Sequence, residues 1–474
     1  MSKIRLSKLS KKLRSSSQII IWLLILEIIL SIGSMVSIST DRFGSQSIKD
    51  QSIEASESVY VNLFSAQTFT GSMKITAMAS PDSCFEIVEQ LLLDADTSIY
   101  VSVYTLSSPY LMEALIDRIE NGIDVKLLLE KEQVNYHEKN YNRWTLKNLT
   151  EISHNGNYAQ GKWANSSTRE EHPEDDTLFQ YQHSKYAIID DDTLILSSGN
   201  WGRSSCPKPQ DDGDVDGNRD WWVALDGTTS TQAQQVVDYF DDVFAYDWSE
   251  GFAYDESVDG AGYGQSYDRS GSSYIPTTAQ TFTESMSITP ILSPDTSFTQ
   301  TRSLIQSATS SLQIETMYLK DGLDEIVNDI IDRHNAGVDV EVILSDSSSD
   351  DTAVNQLLDA GIEVKRSKPN MDAPNPNPFD TMHNKGIIVD GDTILVSSIN
   401  WSPASVFNNR ESGLIIESSS VAEYYGDLFT YDWGGSEWWD PDYNPNGDPS
   451  SFKIWYLLIP IGVIAAVIVY KEFA

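Results

Sequence analysis

The sequence predicts an α/β protein in which one unit is duplicated, each copy a mixed β-sheet flanked by helices, the two packed about a pseudo-twofold axis. Three observations carry this. AQTFTGSMKITAMASPD, from Ala66, returns as AQTFTESMSITPILSPD from Ala279. In each copy an apolar β-rich run (SIYVSVYTL, SLQIETMYL) leads into an amphipathic stretch (LMEALIDRIENG, LDEIVNDIIDRHNAG) and then a second run (IDVKLLLE, VDVEVILS). Parallel strands need a crossover between them, so strand, helix and strand in that order imply a parallel pair. Finally, the stretch from His183 to Trp201 recurs from His383 to Trp401 with every polar spacing kept.

The chain has 474 residues, enough for two or three domains, with 40% hydrophobic and 22% charged residues, as in a globular protein. Its formal charge is -38, which favours solubility and gives polyanions little attraction. Residues 1–18 are nevertheless basic, through Lys3, Arg5, Lys8, Lys11, Lys12 and Arg14. They precede a largely apolar run over 19–39, interrupted by Glu27, that reads as a transmembrane signal anchor or a long signal peptide. A polar tether, 40–65, follows. The first unit then covers 66–248, a Gly, Ser, Tyr and Asp-rich linker 249–278, and the second unit 279–433. A tether, 434–453, leads to a second apolar segment, 454–470, just long enough to span and read as a transmembrane helix. By the positive-inside rule the basic N-terminus stays cytoplasmic, which puts the body outside the cell membrane. Cys84 and Cys206 are the only cysteines, so there is no disulfide framework, and sequence does not say whether they pair.

The offset between copies shrinks from 213 at Ala66 to 200 at His183 and 185 at Tyr246. The first unit therefore carries the longer loops, roughly Glu130 to Phe179 and Gly202 to Arg219, which are expected to shape a groove.

The repeated stretch reads as a β-hairpin: apolar runs (AII and TLIL, GIIV and TILV) flank Asp-Asp-Asp or Asp-Gly-Asp. Residues two apart on a strand share a face about 6 to 7 Å apart. With a two-residue turn at 191 and 192, His183 would pair with Asn200 and Lys185 with Ser198. The second hairpin would likewise pair His383 with Asn400 and Lys385 with Ser398. Such a cluster suits a tetrahedral oxyanion: Lys supplies charge, Asn and Ser neutral donors, and His can attack or transfer a proton.

The pattern resembles the phospholipase D superfamily, whose signature is HxKxxxxD followed by GSxN, usually present twice. The chain matches at His183, Lys185, Asp190, Ser198 and Asn200, and at His383, Lys385, Asp390, Ser398 and Asn400; Ser197 and Ser397 replace the Gly of GSxN. The resemblance, from about Ala66 to Trp433, implies two halves sharing one active site and a phosphodiesterase working through a phosphohistidine. It assigns His183 as nucleophile and His383 as acid/base. Lys185, Lys385, Asn200, Asn400, Ser198 and Ser398 would hold the phosphate, with no metal required. It also implies an acidic residue downstream of each hairpin: Asp220 in GNRDWWVALD and Glu411 in NNRESGLIIE. Asp190 and Asp390, at the turns, read as structural.

Asp220 has a competing reading. Asp212, Asp214, Asp216, Gly217, Asn218 and Asp220 spell DxDxDGNxD, the start of a structural calcium loop, though position twelve is Val223. A solvated acidic loop is the plainer alternative.

A phospholipid is the expected substrate, since the chain would be tethered to a bilayer and its acidity disfavours nucleic acid. An extracytoplasmic nuclease comes next, then a transphosphatidylase resembling cardiolipin synthase, then an inactive scaffold, whose sign would be a lost His or Lys. Neither half shows that loss.

Overall fold

The computed structural model describes residues 63–154, 157–166, 177–209, 217–265, 277–345, 352–367 and 379–438. Both expected membrane segments, 19–39 and 454–470, lie outside these residues, as do Asp212, Asp214 and Asp216. Among the described residues no helix is long and apolar enough to cross a membrane.

The first half runs β1 (Phe69–Ser80), α1 (Cys84–Leu93), β2 (Ser98–Val103), α2 (Pro109–Glu120), β3 (Asp124–Leu129), α3 (Tyr136–Thr150), β4 (Gln160–Trp163), β5 (Lys185–Ile189), β6 (Thr193–Ser197), β7 (Asp220–Asp226) and α4 (Thr231–Glu250). The second runs β8 (Gln280–Ser293), α5 (Ser297–Ser307), β9 (Ser311–Thr316), α6 (Asp324–Asn335), β10 (Asp339–Leu344), α7 (Thr352–Asp359), β11 (Glu363–Arg366), β12 (Lys385–Val389), β13 (Thr393–Ser397), α8 (Pro403–Phe407), β14 (Glu411–Glu417) and α9 (Ser419–Gly435).

The expected crossovers are present. β2 and β3 pair in parallel, as do β9 and β10, and the helix between each pair is the amphipathic stretch read from the sequence. Local chemistry sets its ends: Ser108 caps α2 with Pro109 in the first turn, and α6 opens on Asp324 and Glu325. Each helix stops where a glycine takes positive φ, Gly122 at 90° and Gly337 at 94°.

The two halves share one continuous sheet, where separate sheets were expected. Its order is β4-β3-β2-β5-β6-β7-β1-β8-β14-β13-β12-β9-β10-β11, with a two-residue strand at each edge (Phe252–Ala253 and Glu437–Trp438). The order is palindromic about the antiparallel β1–β8 pair. There Ser72 faces Ser285, its own counterpart in the repeat, so the pseudo-twofold passes through that pair. A core common to both halves lies under the junction and includes Met73, Ile75, Tyr186, Trp221, Met382 and Tyr425, while each half keeps a further core of its own. Packing there is close enough that a Cβ on Gly386 would come within 2.3 Å of the Trp221 ring. Tyr186 occupies the equivalent place in the first hairpin, so the twofold is only approximate.

The hairpin register is one residue off the expectation. Ile189 faces Thr193 and Val389 faces Thr393, leaving three residues in each turn. Asp190 (φ 54°), Asp191 (φ 59°), Asp390 (φ 52°) and Gly391 (φ 70°) take left-handed backbone there, which Asp tolerates better than most residues and Gly freely. Asp190 and Asp390 anchor the turns: Asp390 accepts the N–H groups of Thr309, Ser310 and Ser311, and Asp190 those of Asp96, Thr97 and Ser98. β6 and β13 end at Ser197 and Ser397, so Ser198, Asn200, Ser398 and Asn400 lie beyond the ladder and the expected cross-strand pairs do not form.

Candidate active site

Each hairpin delivers its histidine to the seam between the halves. The His183 N–H donates to the Arg410 carbonyl (2.8 Å) and the His383 N–H to that of Arg219 (3.0 Å), so each histidine backbone is held by the opposite half. The rings cross over in the same way. His183 Nδ1 lies 2.7 Å from Glu411 Oε2, and His383 Nδ1 lies 2.8 Å from Asp220 Oδ1. With Nδ1–H given to a carboxylate, Nε2 is the nitrogen left for chemistry on each ring. The imidazoles retain 13% and 15% exposure while both carboxylates have none, so a ligand can reach the rings but not the acids that orient them.

Asp220 thus serves His383, and the calcium reading of that residue is corrected. Its Oδ1 also accepts from Ser198 Oγ (2.8 Å). Asn218 likewise turns inward, its N–H on the Ser204 carbonyl and its amide near Ser205 Oγ. Among the described residues no group of three His, Cys, Asp or Glu could hold a metal.

Ser198 and Ser398 also require correction. Both are fully buried: Ser198 Oγ donates to Asp220 and accepts the Trp221 N–H, while Ser398 Oγ donates to Glu411 (2.6 Å) and accepts the Ser412 N–H. Their hydroxyls brace the carboxylates and are not aimed at a phosphate. Asn200 and Asn400 differ, since neither carboxamide oxygen has a hydrogen-bond partner among the described residues. Both amides are half-buried at the site.

Lys185 and Lys385 are buried beside their histidines. Lys185 Nζ donates to the His183 carbonyl (2.7 Å), and Lys385 Nζ lies 3.1 and 3.3 Å from the two ring nitrogens of His383. Burial pushes Lys185 down to about 7 and Lys385 to about 8, against the pull of Glu411 and Asp220. Burial also pushes His183 down to about 4, with the Lys185 and Lys385 ammonium groups adding to the push and Glu411 opposing it. His383 is lowered too, by burial and then by Lys385. For Asp220 burial acts upward, but His383 and Lys385 outweigh it and hold the carboxyl below its ordinary range. Each half's lysine acts on the other half's histidine, so the two clusters form one electrostatic site.

Two buried arginines, missed from the sequence, tie this site to the fold. Arg410 forks onto Asp247 of α4 (2.9 and 3.0 Å) and reaches Asp295 (2.7 Å). Arg219 forks onto Asp432 of α9 (2.8 and 3.1 Å) and reaches Asp82 (2.8 Å). Each fork crosses from one half to the other, and each arginine immediately precedes a histidine-orienting acid. The signal was present as triplets shared by the copies: NRD and NRE, SPD twice, YDW twice.

The first half adds an aromatic wall beside its histidine. The Tyr104 ring meets that of His183 edge-on at 4.9 Å, Lys185 Nζ lies 5.6 Å from its centroid, and its hydroxyl accepts the Val134 N–H (2.9 Å). Glu138 of α3 faces Lys185; burial raises its carboxyl and the lysine partly offsets this. Both α3 and β4 lie in what the sequence showed only as a long loop.

The chain belongs to the phospholipase D-like family: the family model described as "Cardiolipin synthase, PLD-like domain" matches residues 88–248 and again 301–433. No curated protein sequence matches the chain. Among solved structures it is similar in fold to the phosphatidylserine synthase of Haemophilus influenzae, with TM-score 0.52 and 16% identity over 83% of this chain and 94% of that one. It is also similar to Nuc of Salmonella typhimurium, a phospholipase D family member, with TM-score 0.29 and 22% identity over 32% of this chain and 98% of that one. A third similarity is to the polyphosphate kinase of Porphyromonas gingivalis, with TM-score 0.43 and 12% identity over 81% and 55% of the respective chains.

Proposed function

We propose that the chain is a phosphodiesterase that cleaves a phospholipid through a phosphohistidine, anchored to the membrane by its terminal apolar segments with the catalytic region outside the cell. The observation that carries this reading is the crossed pair of imidazole–carboxylate contacts: two histidines from distant segments, each with Nδ1 on a carboxylate of the other half, in one charged site.

In the first step the Nε2 lone pair of His183 attacks phosphorus and the bond to the leaving alcohol breaks. His383, protonated, gives its Nε2 proton to that oxygen. Water then loses a proton to His383 and attacks phosphorus, the P–N bond breaks, and both rings return to their starting state. Burial holds His183 down to about 4, so it is neutral at physiological pH as a nucleophile must be; His383 is lowered as well, so it takes up its proton together with the anionic substrate. Lys185, Lys385, Asn200 and Asn400 balance charge on the non-bridging oxygens, preorganised before substrate arrives.

The family description gives weight to a second reading, transfer to an alcohol in place of water. It leaves the first step unchanged. The test is to incubate the purified full chain with a vesicle phospholipid, a single-stranded oligonucleotide and bis(p-nitrophenyl) phosphate, with and without glycerol, and to quench for acid-labile phosphohistidine. Phospholipid cleavage with label on residue 183 is expected, and a glycerol adduct would mark transfer. Cleavage of the oligonucleotide alone would replace the lipid assignment, and turnover by His183→Ala would end the mechanism.

A further inference from the structure

Among the described residues seven large apolar side chains are exposed, and four of them lie at the start of α3 or in the linker after α4: Val134 (83%), Tyr136 (67%), Val258 (61%) and Tyr263 (40%). In a chain of net charge -38 this grouping calls for a physical cause, because large apolar exposure on a soluble surface marks a contact site. The cluster is held in place. Tyr136 and Tyr263 meet through His137, whose Nδ1 lies 2.5 Å from the Tyr263 hydroxyl, and Val258 sits on a turn tied back by the Lys131–Asp259 ion pair (2.9 Å).

Its position gives it meaning. The Val134 N–H is bonded to the Tyr104 hydroxyl, and the Tyr104 ring touches His183. One side chain therefore separates the exposed valine from the proposed nucleophile, so the patch forms part of the rim of the site. The cations beside it are each engaged with a carboxylate: Lys131 with Asp259, and Lys139 and Arg143 with Glu132. The rim thus offers apolar and tyrosyl surface with its positive charge already neutralised.

We infer that this rim, led by Val134 and Tyr136, inserts into the interfacial layer of a zwitterionic lipid bilayer and brings the mouth of the site onto lipid headgroups. Tyrosines with an apolar ring and a polar tip favour that depth, whereas the acidic body is repelled by an anionic surface. The inference rests on the phosphodiesterase reading for its purpose but not for its test.

The full chain is reconstituted in phosphatidylcholine vesicles. An environment-sensitive fluorophore on Val134→Cys is expected to shift to shorter wavelength and to be quenched by a spin label on the upper acyl chain. The double variant Val134→Ser/Tyr136→Ser should lower turnover of bilayer phospholipid about tenfold or more, in line with the loss of two buried apolar side chains, and leave that of soluble bis(p-nitrophenyl) phosphate unchanged. A fluorophore that stays in water, or that reports a second copy of the chain by self-quenching, overturns the inference. So does an equal loss on both substrates. Absence of activity on any phosphodiester would instead strike the proposed function, while the quenching would still decide how the rim docks.

Discussion

Asp247→Asn tests whether the cross-half arginine forks govern the chemistry. Asp247 and Arg410 are 0% and 2% exposed, so neither partner is screened by water when the other is changed. Breaking such a buried pair costs about 3–5 kcal/mol, and retention of Asp295 on the same guanidinium places the expectation at the lower end. The catalytic effect follows from connectivity. The Arg410 carbonyl holds the His183 N–H, and the next residue, Glu411, holds the His183 ring, so a turn of Arg410 displaces both supports together. A displacement of about 1 Å at a reacting group costs roughly 10²-fold in rate, and a fall in kcat of that order with little change in KM is expected. Urea unfolding and steady-state kinetics on a soluble diester are compared for Asp247→Asn, Arg410→Met and the double variant. A coupling below about 0.5 kcal/mol, as for independent sites, would show that the fork holds nothing. Loss of stability with kcat intact would show that it holds the halves together without positioning His183.

Glu411→Gln should lower kcat by about 10³ to 10⁴ with KM nearly constant, as expected when an orienting carboxylate is neutralised, and a smaller change than tenfold would remove Glu411 from that role. The lysine charges exist below about 7 and 8 and disappear as pH rises through those values, so kcat/KM should decline from neutral toward pH 9. Lys185→Arg, which does not titrate there, should move the alkaline limb upward, whereas a wild-type profile flat to pH 9 contradicts this. Asp390→Asn should cost about 1 kcal/mol in urea unfolding, since the carboxylate accepts three consecutive backbone N–H groups at the hairpin tip. Burial raises the Asp390 carboxyl, but the Thr309 hydroxyl, the Ser311 and Ser310 N–H groups and the Ser310 hydroxyl outweigh it and hold it below its ordinary value, so the difference between wild type and variant should be full above about pH 4 and fade below it. Cys84 and Cys206, with Sγ atoms 3.7 Å apart and both fully buried, should resist N-ethylmaleimide in the native protein; labelling without denaturant would refute that burial.

Much of this architecture is local and therefore legible. The hairpins, the helices ending at Gly122 and Gly337 and the parallel β2–β3 and β9–β10 pairs each follow from a hydrophobic period and its punctuation. The register differs because Asp190 and Asp191 in the first hairpin, and Asp390 and Gly391 in the second, enter left-handed backbone and admit a third turn residue, a choice the Asp-rich sequence does not reveal. That one-residue slip, with the strands ending at Ser197 and Ser397, is also why Ser198 and Ser398 turn to the carboxylates. Crossing of the acids was hidden for a different reason. Sequence order places Asp220 after the first hairpin and Glu411 after the second, and only the packing of the halves shows that each serves the other's histidine. The buried arginines left a trace in paired triplets, but a buried charge is interpretable only once its partners, 213 and 163 positions away, are in view.

Cross-pairing has a consequence for how the fold can work at all. A single half carries its own histidine and lysine but leaves that imidazole without the carboxylate that fixes its tautomer, and leaves a buried arginine without the aspartate fork it needs. The strand pair joining the halves has the isologous form of a homodimer edge, with Ser72 against Ser285, so two identical copies could assemble by the same contact. Fusion into one chain releases the two sides to differ. Here the first half sets Tyr104, the exposed rim and a longer helix (α3 against the shorter α7) around its histidine, while the second places Glu315 and Asn384 behind its histidine where the first has Ser102 and Ser184. The aromatic wall stands against His183, whereas the Lys385 ammonium lies along the ring of His383. The division of labour proposed between nucleophile and acid would then follow from what each half packs around an otherwise equivalent imidazole.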